Sequence, residues 1–268
     1  MNKLVFIFLF FSLPSLGKSK VEWYKQDSLW EIGREFETGV FKNNKKNKAE
    51  NAIKSLVNFA NFNLNGIILE LGCGEGFHAG ALAKEGFQIK CIDVSPFMLS
   101  QAKINLRNFN QKILLEQKDM LDLNEPERFD AVVTFGHSFG YFDSPEKNVQ
   151  VLRNVYKSLK KGGKFFMEIY GKEIIDRVYP KTLIKEKNGK TLIRLTRIVN
   201  NYSNLESYFY LIDKNNIKFL EQHSQLYSAQ ELTNILEQIG FKIIGVYGSY
   251  DKRPYDNTSD SLMILSEK

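Results

Sequence analysis

The chain has 268 residues, 43% of them hydrophobic and 25% charged, an ordinary globular composition with room for one α/β core and an embellishment. Its formal charge is +6, but Lys3, Lys18 and Lys20 supply half of that. The other 34 basic and 31 acidic side chains form no concentrated stripe of the kind that grips nucleic acid, so no nucleic-acid partner is expected. Beyond the first twenty residues no apolar run approaches the roughly 20 residues of a bilayer-spanning helix, and no membrane partner is expected either.

Residues 1–20, "MNKLVFIFLFFSLPSLGKSK", have a basic start, an apolar run over 4–11 and small residues at Ser15 and Gly17, the build of a secretory signal. The Phe, Ile, Leu, Lys and Asn bias of the whole chain fits an AT-rich coding sequence, in which translated noncoding DNA readily yields such a run. The expectation is therefore a cytoplasmic protein starting at or near Val21, with residues 1–20 a leader that packs against nothing. Export with cleavage after Gly17 is the alternative. Residues 21–65 read as a helical cap anchored by Trp23, Tyr24, Trp30 and Phe36, in which "KNNKKNK" (42–48) is a solvated linker.

From residue 66 to 171 short apolar runs alternate with amphipathic stretches. "IILELG" (67–72), "QIKCIDVS" (88–95), "KILLEQKD" (112–119), "FDAVVTFG" (129–136) and "GKFFMEIY" (163–170) read as strands. Between them lie helical patterns, with Pro96 in a first turn and Gly162 just past a helix end. This wiring predicts an α/β fold, a parallel sheet with right-handed crossovers and helices on both faces. Cys73 falls in a glycine turn and Cys91 in an apolar strand, so both read as packing residues and a disulfide framework is not indicated.

Residues 172–227 change character. Polar and apolar residues alternate around Asn188-Gly189, a hairpin signal, which predicts an antiparallel lid inserted before the last helix. Tyr202, Tyr208, Phe209 and Tyr210 are expected to give this lid an aromatic underside, and His223 reads as an ordinary strand residue. The core resumes over 228–268 with a helix opened by Ser228 and Glu231, a capping box, and two further strands.

The most informative stretch is "ELGCGEGFHAGALA" (70–83). An acid closes a buried strand, glycines follow at 72, 74 and 76, and a helix opens at once, so that backbone can approach a ligand and helix N–H groups point at it. Asp93 ends the second strand, where a carboxylate can receive ribose hydroxyls, and Asp119 ends the third with Met120 beside it. Taken in order, "ELGCGEG", "CIDVSPFMLSQAK", "QKDM" and "FDAVVTFGHSFGYF" resemble the class I S-adenosylmethionine-dependent methyltransferases, closely over residues 65–170 and more loosely afterwards. The resemblance implies a Rossmann-like seven-stranded sheet whose last strand is antiparallel, and S-adenosylmethionine as cofactor. A nicotinamide-binding fold is the runner-up for such a sheet.

Carried over residue by residue, the resemblance puts Glu70, Gly72 and Gly74 around the methionine end of the cofactor and Asp93 on its ribose. Met98 packs near the adenine, and Asp119 with Met120 reads the adenine edge. "FGHSFGYF" (135–142) begins with Phe135 at the cofactor and lines the methyl-transfer pocket, resembling segments of small-molecule methyltransferases of the glycine N-methyltransferase type, with His137 where Asn or Thr is usual. His137 can accept a proton from an amine or simply hold a hydrogen bond. Tyr141 stands beside it as a second candidate catalytic residue, or as pocket wall with Phe139. A small-molecule acceptor methylated on N or O by in-line displacement is expected, no metal, and a homodimer through residues 172–227 is an option. The alternatives are a cofactor-binding protein without turnover and an RNA or protein methyltransferase.

Overall fold

The computed structural model describes residues 22–38, 45–63, 66–109 and 112–268. The leader expected at 1–20, the start expected at Val21 and the first part of the basic stretch read as a linker lie outside the described residues.

Strand formation follows the apolar runs. Seven strands make one sheet: β1 (Ile67–Leu71), β2 (Gln88–Asp93), β3 (Ile113–Gln117), β4 (Phe129–Thr134), β5 (Leu159–Ile169), β10 (Lys242–Tyr247) and β11 (Leu262–Glu267). Their order is β10-β11-β5-β4-β1-β2-β3, and β11 runs antiparallel to both of its neighbours. This is the methyltransferase form of the Rossmann-like sheet. Alternation sends Leu69, Leu71 and Val132 into one core and Ile68, Ala131 and Val133 into the other. The first core receives α1 (Asp27–Glu35), α5 (Pro145–Ser158) and α7 (Ala229–Ile239); the second receives α2 (Lys45–Ala60), α3 (Phe77–Lys84) and α4 (Pro96–Asn105). A sheet covered on both faces has water at its strand ends alone, and there the ligand cleft forms.

After β5 the chain makes a short helix, α6 (Ile175–Val178), and then a separate antiparallel sheet of β6 (Thr182–Lys187), β7 (Lys190–Val199), β8 (Asn204–Asp213) and β9 (Asn216–Gln225). Asn188 and Gly189 both take positive φ in the two-residue turn that joins β6 to β7. Main chain ties this sheet back to the core: Gln225 N donates to Gly140 O at 2.7 Å, and Lys172 N to Tyr227 O at 3.0 Å. Gly140 is required there, because a Cβ on it would sit 2.5 Å from Gln225 O and its φ is +93°.

Three expectations change. Helix α5 stops at Ser158, and β5 begins at Leu159 with Gly162 inside it at φ +75°, because "LKKGG" continues as strand. Lys45 to Lys48 are not linker but the first turn of α2, with Lys45 ion-paired to Glu75. Of the four lid aromatics only Phe209 faces inward and is buried. Strand alternation turns Tyr208 and Tyr210 outward against Phe219, and Tyr202 sits exposed in a turn with its hydroxyl on Asp176. His223 shares that outer face, paired in register with Glu206.

Candidate active site

The carboxyl ends of β1 to β5 open onto a cavity of about 740 Å³. Glu70, Gly72, Gly74, Asp93, Met98, Asp119, Met120, Phe135, His137 and Tyr141, all the residues expected from the sequence, line it together. The glycine turn makes its floor. Gly72 and Gly74 both have positive φ, and a Cβ at Gly72 would meet Ser138 Cβ at 2.8 Å, so the turn and the "GHS" segment can close on one another only without a side chain there. Asp93 braces the turn by accepting from Gly74 N at 2.8 Å and Ser95 N at 2.9 Å, which leaves each carboxylate oxygen a lone pair for a ligand hydroxyl. Asp119 accepts from Leu121 N at 3.0 Å and lies 3.1 Å from Lys25 Nζ, so the cap reaches the same wall. Phe135 is buried and stacks on His78 with centroids 4.3 Å apart.

Besides Tyr24 Oη, two buried side-chain atoms in this wall have no hydrogen-bond partner among the described residues. Glu70 Oε2 is one, in a carboxyl that burial and the nearby Asp93 charge push up to about 8. A buried acid of this kind is a receptor for a cation, which fits the positively charged methionine end of S-adenosylmethionine, just as Asp93 fits a ribose. The other is His137 Nδ1. His137 has φ +66°, a costly backbone conformation for a residue with a side chain, held by its N–H on Glu168 O at 3.3 Å and by its ring stacked on Tyr170 at 3.3 Å. Burial pushes its imidazole down to about 3, so it is neutral at physiological pH. Burial likewise pushes the Tyr141 phenol up, keeping its proton in place.

The sequence reading missed three contributors. Glu168 lines the cavity, accepting from Ser261 Oγ at 3.0 Å and Tyr250 Oη at 3.1 Å. It sits near the end of β5 as Glu70 and Asp93 do on their strands, so the same strand-end signal was present. Trp30 closes the cavity from α1, packed against Tyr141. Arg194 on β7 lies in a smaller cavity of about 130 Å³ beside the four-stranded sheet, which shares His137, Tyr141 and Tyr170 with the larger one.

Residues 68–163 match the family model of a methyltransferase domain. The glycine/sarcosine N-methyltransferase of Parasynechococcus marenigrum is 36% identical over 98 residues, 36% of this chain and 35% of that protein. Among solved structures, an S-adenosylmethionine-dependent methyltransferase from Clostridium acetobutylicum superposes with a TM-score of 0.72 at 17% identity, over 90% of this chain and 98% of that one. The amino pentose methyltransferase CalS10 from Micromonospora echinaspora, determined with S-adenosylmethionine bound, gives 0.60 at 16% identity, over 90% and 95%. The domain match, which spans the glycine turn, together with the methyltransferase relatives and the common architecture identifies the chain as a class I S-adenosylmethionine-dependent methyltransferase.

Proposed function

We propose that the enzyme methylates a small-molecule acceptor on nitrogen or oxygen by in-line displacement. The observation that carries this reading is the roof over the reacting end. Beneath it the large cavity is followed by a small annex, walled by β7, β8 and β9 and tied to the core by main-chain hydrogen bonds, a space suited to a compact molecule. The similar protein from Parasynechococcus marenigrum is a glycine/sarcosine N-methyltransferase, and the weak net charge of residues 21–268 agrees with a small-molecule partner.

In this reading Glu70 and the main chain at Gly72 and Gly74 face the methionine end of the cofactor. Asp93 receives the ribose, Met98 and Phe135 pack against the adenosine, and Asp119 with the Met120 main chain reads the adenine edge. When bound, the cofactor supplies a methyl group already activated by its sulfonium centre. The chain's own task is then to orient the acceptor and exclude water, which Trp30, Phe139, Tyr141 and the lid do. His137, neutral in its buried stack, positions the acceptor through a hydrogen bond and does not act as a base poised near neutrality.

Incubating the enzyme and labelled S-adenosylmethionine with fractionated metabolite extract tests the reading. Label is expected in a compound below about 500 Da, sized to pockets of this kind. Label confined to protein or RNA would overturn it.

A further inference from the structure

We propose that Arg194 is an anion receptor which binds a carboxylate on the acceptor, so that the natural acceptors are small carboxylic acids bearing the methylated amine or hydroxyl. This rests on the small-molecule reading above and names the class within it.

Arg194 is 4% exposed, yet among the described residues it forms no ion pair, and no Asp or Glu lines the annex around it. Its guanidinium lies 4.4 Å over the Tyr179 ring, and its terminal nitrogens reach Tyr179 Oη at 3.2 Å and Pro180 O at 3.5 Å. Its Nε is buried with no hydrogen bond among the described residues. Among the described residues lining the annex Arg194 carries the only permanent charge and none is Asp or Glu. A buried cation left unpaired is expensive, and folded chains otherwise pair it or leave it in water. Alternation on β7 did not force the charge inward without consequence either, since Leu192 and Thr196 share its face while exposed Arg197, one residue beyond, takes Glu206 as partner. A ligand that brings the missing negative charge accounts for the arrangement. A carboxylate matches the planar fork of the guanidinium and the 130 Å³ space. The annex shares Trp30, His137, Tyr141 and Tyr170 with the cavity that holds the cofactor. A molecule anchored at Arg194 therefore extends its other end towards the methyl group.

The test uses the full chain with S-adenosylhomocysteine bound, propionate as the probe and propionamide as its neutral match, followed by ligand-observed NMR. Propionate is expected to bind and propionamide not. Arg194→Met should weaken propionate binding about 100-fold, in keeping with loss of one partner of a buried charge pair. It should leave S-adenosylhomocysteine binding intact and leave the melting temperature equal or higher, because an unpaired buried charge has been removed. Should Arg194→Met not fold, Arg194→Lys replaces it, with at least a tenfold loss expected from the missing fork. In the labelling assay, matched amino acids and their amides add the second readout: acids are methylated, amides are not, and the variant raises KM with little change in kcat. Equal binding of propionate and propionamide, or methylation of neutral small molecules by wild type and Arg194→Met alike, overturns the anion receptor and leaves the small-molecule reading standing. Label confined to macromolecules instead removes the small-molecule reading, and the carboxylate inference with it.

Discussion

The two ends of the active-site cavity are made from different kinds of chain. The end proposed for the cofactor is local: Glu70, Gly72, Gly74 and Asp93 come from two adjacent parallel strands and one turn, and backbone hydrogen bonds from Gly74 and Ser95 hold the Asp93 carboxylate in place. The acceptor end is assembled from distant pieces, with His137 after β4, Tyr170 after β5, Arg194 on β7 and Trp30 on α1. The cofactor end is fixed by short-range geometry that tolerates no side chain on its glycines. The acceptor end depends on one sheet being seated on another. A common cofactor can thus be held by a fixed turn while the acceptor pocket is set by whichever inserted sheet covers it.

The largest expected effect separates the two ends. Gly140→Ala puts a Cβ 2.5 Å from Gln225 O at a positive φ, which must lift the end of β9 from the core. Methyl transfer should fall by about 100-fold or more, as for a misplacement of about 1 Å, while S-adenosylhomocysteine affinity stays within about threefold. A parallel loss of cofactor affinity in calorimetry would show that the ends are not separable. Asp93→Ala is the converse. It should weaken S-adenosylhomocysteine binding by about 1.5 to 3 kcal/mol, the range for hydrogen bonds to a charged group, and an unchanged titration would remove Asp93 from the ribose.

His137→Asn sharpens the acceptor end. Asn tolerates positive φ and keeps a hydrogen-bonding side chain, so kcat should drop by less than about 100-fold. No pH limb near neutrality should disappear, since the native imidazole is held down at about 3. A larger loss with an altered pH profile would make it a base.

The smallest effect is a pH dependence at the cofactor end. Free Glu70 keeps its proton up to about pH 8, well above its ordinary 4.5. A cationic ligand end favours the carboxylate, lowers that pKa and so releases a proton on binding below about pH 8. S-adenosylmethionine affinity should therefore rise with pH between 6 and 8, by at most tenfold per pH unit, and level off above. Calorimetry in buffers of different ionisation enthalpy reads the released proton directly, and Glu70→Gln should flatten the trend. Affinity that falls with rising pH would contradict the assignment.

The same contrast explains what could be read from the residues alone. The core strands, the capping box at Ser228 and the Asn188-Gly189 hairpin follow from periodicity and turn chemistry, which act over a few residues. That Glu70, the glycine turn, Asp93 and Asp119 line one cavity was legible for the same reason, since "ELGCGEG" and the strand-end acids are short-range signals. Arg194 was not. Its meaning lies in a buried Nε without a hydrogen bond and an annex whose described lining holds no acid, and which face of β7 meets the core depends on how the inserted sheet docks, as the outward Tyr208 and Tyr210 also show. The helical place of Lys45 is not legible locally, because "KNNKKNK" has the composition of a loop, whereas its partner Glu75 is thirty residues away in the glycine turn. Glu168 was overlooked although its position near the end of β5 obeys the rule that found the other acids.

A structure of the enzyme with S-adenosylhomocysteine bound tests the division of the cavity most directly. The ribose is expected on Asp93, the adenine beside Asp119 and Met120, the amino end at Glu70, and the sulfur facing the His137 side, with the annex at Arg194 left free for the acceptor. A nucleoside lying under the lid against Arg194, or a homocysteine end turned away from Glu70, would contradict it.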